Sequence, residues 1–95
     1  MKITIKFYTY LRDLAKKKME ELEVLDNITV EQLLKLLSTR FGQEFHEYVF
    51  DEKTGKPQTY LQYVVDGKTI STLQGLETKL SEGCTFSIIP PAGGG

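Results

Sequence analysis

Polar and apolar side chains alternate along the first residues of the chain, with Lys2, Thr4 and Lys6 interleaved between Ile3, Ile5 and Phe7. Successive side chains of an extended chain point to opposite faces, so this pattern predicts a strand with one apolar face at the N-terminus. Tyr8, Leu11, Leu14 and Ala15 then fall at helical spacing. The short helix they predict ends in Lys16-Lys17-Lys18, a basic run that suits the negative end of a helix dipole. Glu21-Leu22-Glu23-Val24 alternates again and predicts a second strand, antiparallel to the first. The clearest helix signal follows Asp26-Asn27. Thr29 with Gln32 forms a capping box, and Ile28 with Leu33 fits a hydrophobic staple around it. Val30, Leu33, Leu34, Leu37 and Phe41 then mark one face of an amphipathic helix of about three turns, with Gly42 placed to end it in a left-handed cap.

Beyond that helix, Phe45, Tyr48 and Val49 predict a further short turn against the core, and the polar Asp51–Gln58 segment reads as an exposed loop. Tyr60 to Val65 reads as a third strand closed by an Asp66-Gly67 turn. Ile70, Leu73, Leu76 and Leu80 thread an irregular stretch around Gly75 with room for a short strand, and Cys84 to Ile89 forms the last strand. The chain thus begins and ends with a strand. Placing those two side by side in parallel, with the long helix across the sheet, gives an α+β fold of the β-grasp (ubiquitin-like) type: a mixed sheet of four to five strands and one main helix. Residues 1–89 are the expected domain and residues 90–95 an extended C-terminal tail.

Bulk properties narrow the function classes. A chain of 95 residues with 40% apolar and 26% charged residues suits one small globular domain rather than a disordered segment. The net charge of −1 provides no global field for nucleic acid or anionic lipid, so neither is an expected partner. No apolar run approaches the length of a membrane span, and the N-terminus does not resemble a signal peptide. Cytoplasmic localisation is the expectation. The single cysteine, Cys84, fits it and cannot form an internal disulfide.

Candidate chemistry inside the chain is sparse. His46 is the only histidine and has no metal-spaced companion, so a surface or packing role is expected and no metal site is predicted. Cys84 opens an apolar strand and reads as a packing thiol, Lys16 to Lys18 as a solvated helix end, and no phosphate-cradling G-x-x-x-x-G-K is present. The four cysteines of a plant-type iron–sulfur ferredoxin are absent. What remains is the end of the chain, "SIIPPAGGG". Pro90 and Pro91 lack N–H donors and hold φ near −65°, so they end sheet pairing and send the chain along an extended path. From Pro90, five more residues reach at most about 17 Å. Gly93, Gly94 and Gly95 have no Cβ and can enter a channel too narrow for a side chain, presenting the α-carboxylate of Gly95 as the one reactive group.

The N-terminal "KITIKFYTYLRDLAKK", the capped "TVEQLLKLLSTRFG", the "VVDGK" turn and the closing "LSEGCTFSIIPPAGGG" together resemble the MoaD/ThiS family of ubiquitin-like sulfur carriers. The double proline, two spacer residues and terminal Gly-Gly look like the MoaD branch, the small subunit of molybdopterin synthase. Two features depart from that pattern, a longer Asp51–Gln58 segment and a third glycine in the spacer. The resemblance implies that an E1-like adenylyltransferase of the MoeB/ThiF type uses ATP to adenylate Gly95. A sulfur donor then converts it to a thiocarboxylate, and a MoaE-type large subunit accepts the tail for molybdopterin synthesis. It implies no permanently bound cofactor and no catalysis by this chain alone. Gly94 and Gly95 take the family's terminal pair, Ala92 and Gly93 the spacer, Pro90 and Pro91 the tail base, and Ile89 the apolar residue supporting partner docking. The same tail fits an alternative, a modifier joined to target lysines through an isopeptide bond, and carriers for thiamin synthesis or tRNA thiolation. A third reading is an interaction module with a glycine end.

Overall fold

Strand β1 (Lys2–Phe7) buries Ile3, Ile5 and Phe7 and leaves Lys2 and Lys6 exposed, as its alternation requires; the computed structural model describes residues 1–91. Helix α1 (Tyr10–Ala15) and strand β2 (Met19–Glu23) follow, then helix α2 (Val30–Phe41) and helix α3 (Gln43–Val49). Strands β3 (Gln62–Val65) and β4 (Lys68–Thr69), two 3-10 turns at Ile70–Thr72 and Gly75–Glu77, and strand β5 (Thr85–Ile89) complete the described chain. The sheet order is β2-β1-β5-β3-β4. β1 lies parallel to β5, while β2 runs antiparallel to β1 and β3 antiparallel to β5. This is the β-grasp arrangement expected from the sequence, with five strands.

Helix α2 begins as its capping box dictates. The Thr29 hydroxyl accepts from the Gln32 backbone N–H at 3.2 Å, and the Gln32 side chain accepts from the Thr29 N–H at 2.9 Å. Its apolar face, Val30, Leu33, Leu34 and Leu37, is fully buried together with Ile3, Ile5, Phe86 and Ile88 of the sheet. Phe7 meets Phe41 edge-on at 5.3 Å and Phe45 at 6.4 Å, so β1, α2 and α3 share one aromatic cluster.

Several element boundaries differ from expectation. Helix α1 begins at Tyr10 because Thr9 takes φ 49° and ψ −122°, outside helical geometry. β2 starts at Met19, earlier than Glu21, because Lys6 pairs with Met19 and the Lys18 carbonyl accepts from the Phe7 N–H. Gly42 has positive φ but extended ψ, not the left-handed cap, because it also serves as the N-cap from which α3 begins. Within the Asp51–Gln58 loop, the Asp51 carboxylate accepts from the Lys53 and Thr54 N–H groups, and Pro57 is buried and bridges to Phe50. β3 begins at Gln62, leaving Tyr60 exposed, and Cys84 lies just before β5 because its N–H donates to Ser81 instead.

This topology separates two ends of the sheet. One gathers the starts of β1 and β5, the end of β2 and the Asp66-Gly67 turn. The other gathers the end of β1, the starts of β2 and β3, and the end of β5.

Candidate functional site

The last strand delivers its final residues to that second end from the middle of the sheet. Ile88 pairs with Phe7 on one side and Tyr63 on the other, and Ile89 pairs with Gln62. Ile88 is fully buried, so the alternation places Ile89 on the opposite sheet face with Gln62, Ser87, Val64 and Lys6. Ile89 is half-buried there. Pro90 is half-buried and Pro91 exposed, past the last paired position. Ala92, Gly93, Gly94 and Gly95, the remaining predicted tail residues, lie outside the described residues.

Around this exit stand aromatic side chains from segments distant in sequence. Tyr8 directly follows the β1 residue opposite Ile88, and the Arg12 guanidinium lies 5.9 Å from its ring centre. Arg12 Nε also donates to the Phe7 carbonyl at 3.2 Å, fixing the turn. Tyr10 packs edge-on against Tyr48 at 5.1 Å. Burial pushes the Tyr48 hydroxyl pKa up, with smaller contributions from the neighbouring Tyr60 and Tyr10. Tyr63 donates its hydroxyl to the Gln58 carbonyl at 2.9 Å, and burial, aided by Tyr60, pushes its pKa well above the usual tyrosine range. Tyr8, Tyr10 and Tyr60 sit at or just outside strand and helix ends, and only the sheet topology brings them to one end.

Other candidate chemistry behaves as packing. His46 is exposed and stacks on Phe50 at 4.8 Å. Cys84 is buried, and that burial raises its thiol pKa, which disfavours the reactive thiolate. Lys17 pairs with Glu20 at 3.4 Å. Among the described residues no group of three or more His, Cys, Asp or Glu side chains could hold a metal, and no helix is long and apolar enough to cross a membrane. A cleft of about 480 Å³ beside β3, lined by residues including Pro57, Leu61, Tyr63, Ile70 and Leu76, has no charged side chain in its wall.

Comparison with known proteins agrees with this geometry. The model of the ThiS family matches residues 5–95. A protein of Archaeoglobus fulgidus assigned as a sulfur carrier is 30% identical over 70 residues, which span 74% of this chain and 77% of that relative. The small archaeal modifier protein 3 of Haloferax volcanii is 24% identical over 95 residues, the full length of both chains. The crystal structure of SAMP1 from Haloferax volcanii superposes with a TM-score of 0.83 over all of both chains at 19% identity, which establishes the shared fold. With a family match that runs from β1 through the glycine tail, the chain belongs to the ThiS family.

Proposed function

We propose that this protein is a sulfur carrier whose working group is the α-carboxylate of Gly95. The observation that carries this reading is the junction at Ile89, where the central strand of a ThiS-family fold releases Pro90 and Pro91 into a glycine tail. The burial of Cys84, which disfavours a reactive thiolate, supports it further. A carboxylate is a poor electrophile, so activation must come first. A Gly95 carboxylate oxygen attacks the α-phosphorus of ATP on an E1-like adenylyltransferase of the MoeB/ThiF type, and pyrophosphate leaves. Hydrosulfide, or the donor that supplies it, then attacks the acyl carbon. The C–O bond to phosphate breaks, AMP departs with the electron pair, and the thioacid loses its proton to give a thiocarboxylate. The chain contributes a narrow tail and a stiff base. Ordering each flexible residue costs about 1–2 kcal/mol, and prolines lower that cost by restricting the free chain beforehand.

Within the family, Pro90-Pro91 supports the finer reading of a molybdopterin synthase small subunit that inserts its tail into a MoaE-type large subunit. Ile89, Pro90, Pro91, Ala92, Gly93 and Gly94 would then contact the partner. The full-length similarity to a small archaeal modifier protein favours a second reading, in which activated Gly95 acylates target lysines. Intact mass of the chain after incubation with the E1-like enzyme of its own organism, ATP and sulfide separates them. Exchange of one oxygen for sulfur, followed by conversion of the pyranopterin precursor with a large subunit, supports the first. High-mass lysine conjugates without a sulfur gain support the second.

A further inference from the structure

All five tyrosines of the chain stand at the end of the sheet where β5 finishes. Tyr8 follows Phe7, the β1 partner of Ile88, Tyr10 packs on Tyr48, and Tyr60 lies two residues before Gln62, the β3 partner of Ile89. Tyr63 is buried, with its hydroxyl donating to the Gln58 carbonyl. Tyr10 is 45% exposed and Tyr60 51% exposed, so this is open surface and not core. The backbone between Tyr8 and Tyr10 is strained. Thr9 holds φ 49° with ψ −122°, a conformation costly for a β-branched residue, and a non-Gly residue held this way marks a place where the surroundings override local preference. At the opposite end of the sheet the exposed large apolar side chain is Leu25, and the aromatic nearest the Asp66 turn, Phe86, is fully buried.

We propose that this tyrosine collar, Tyr8, Tyr10, Tyr48 and Tyr60, is the surface on which the enzyme that activates Gly95 docks; the inference rests on the carrier reading above. Reach argues for it. Four residues follow Pro91, and at full extension they span about 14 Å. An enzyme whose catalytic pocket holds Gly95 therefore stands against the surface from which the tail leaves. Tyrosine suits that contact, since it offers large apolar area and a hydrogen-bonding hydroxyl with few rotatable bonds to immobilise. The collar contains no acidic or basic side chain, and Arg12 over Tyr8 adds one cation at its edge. The matching face is uncharged and rich in hydrogen-bonding groups. A second copy of the chain seated on the collar would cover the tail's exit and block the chemistry, so self-association is the competing occupant.

The test uses the double variant Tyr10→Ser/Tyr60→Ser in the full chain, with the E1-like enzyme of the same organism, ATP and sulfide, following thiocarboxylate formation by mass. Leu25→Ser is the control, because Leu25 is 81% exposed at the far end of the sheet. The expected result is a KM for the carrier raised about tenfold or more with kcat and melting temperature unchanged, as for loss of docking surface alone. Leu25→Ser leaves KM unchanged, and Tyr10→Phe/Tyr60→Phe recovers most of the affinity. If the double variant melts early, Tyr60→Ser alone provides the measurement. Wild-type conversion with unchanged KM in the variant overturns the collar while leaving the carrier reading intact. A wild-type dimer that the variant dissolves assigns the collar to self-association and overturns the proposal. No conversion of wild type overturns the carrier reading and this inference with it.

Discussion

The two ends of the sheet are built by opposite means. At the end where β1 and β5 begin, polar groups close the structure. The Met1 ammonium donates to the Val24 carbonyl at 2.7 Å, the Glu82 carboxylate accepts from the Lys2 N–H, and the Gly83 N–H donates to the Lys2 carbonyl. Asp66 and Thr85 exchange two bonds, with the Asp66 N–H donating to the Thr85 carbonyl and the Asp66 carboxylate accepting from the Thr85 N–H. At the other end the loops present half-exposed tyrosines and a strained Thr9 around the departing chain. The first end secures register, while the second carries the strained Thr9 and the exposed tyrosines that we propose as docking surface.

The sharpest way to break that comparison is to remove Gly95. On the carrier reading, deletion abolishes sulfur incorporation and leaves the melting temperature unchanged. Equal loss of stability would show that the tail is part of the folded core. Next in size, Asp66→Ala removes an acceptor for the Thr85 N–H and places alanine at φ 49°. It is expected to cost about 1–2 kcal/mol in urea unfolding, with the KM for the activating enzyme unaffected.

Thr9→Gly tests the opposite end. Glycine tolerates the backbone that threonine resists, so the variant is expected to gain about 1 kcal/mol after its larger unfolded-state entropy is counted. Partner affinity should fall as Tyr8 and Tyr10 lose their fixed positions. A smaller effect comes from Glu20, between the two ends. Hydrogen bonding from Arg40, opposed by burial and aided by Lys17, holds its carboxyl below the usual range; Arg40 Nε lies 3.0 Å away and a second nitrogen of the guanidinium also bonds it. A depressed folded pKa contributes stability that is present above the unfolded pKa and lost as pH falls through the folded one. Acid titration of stability should therefore be shallower in Glu20→Gln than in wild type, and identical curves would contradict the assignment.

Most of the scaffold was legible because period and capping chemistry agree. The alternation of Ile3, Ile5 and Phe7 and the Thr29–Gln32 box specify β1 and α2 with little help from the rest of the chain. The start of α1 was not legible, since a threonine at positive φ has no sequence signature and is held by its surroundings. Helical spacing predicts that α2 ends at Gly42 but not the conformation there, because it does not announce that α3 begins immediately. Of the candidate site, the tail and its base stand out by composition. The tyrosine collar does not, because it is assembled from α1, α3 and the approach to β3, which are distant in sequence and meet only through the sheet topology.

The central claim is that the folded part positions and Gly95 reacts. Its most direct test is fragmentation mass spectrometry of the chain after reaction with the E1-like enzyme, ATP and sulfide, locating the sulfur. The account predicts one sulfur in place of one oxygen on Gly95, with Cys84 unmodified. Sulfur added to Cys84 as a persulfide, or no sulfur anywhere while the enzyme is active, would contradict it.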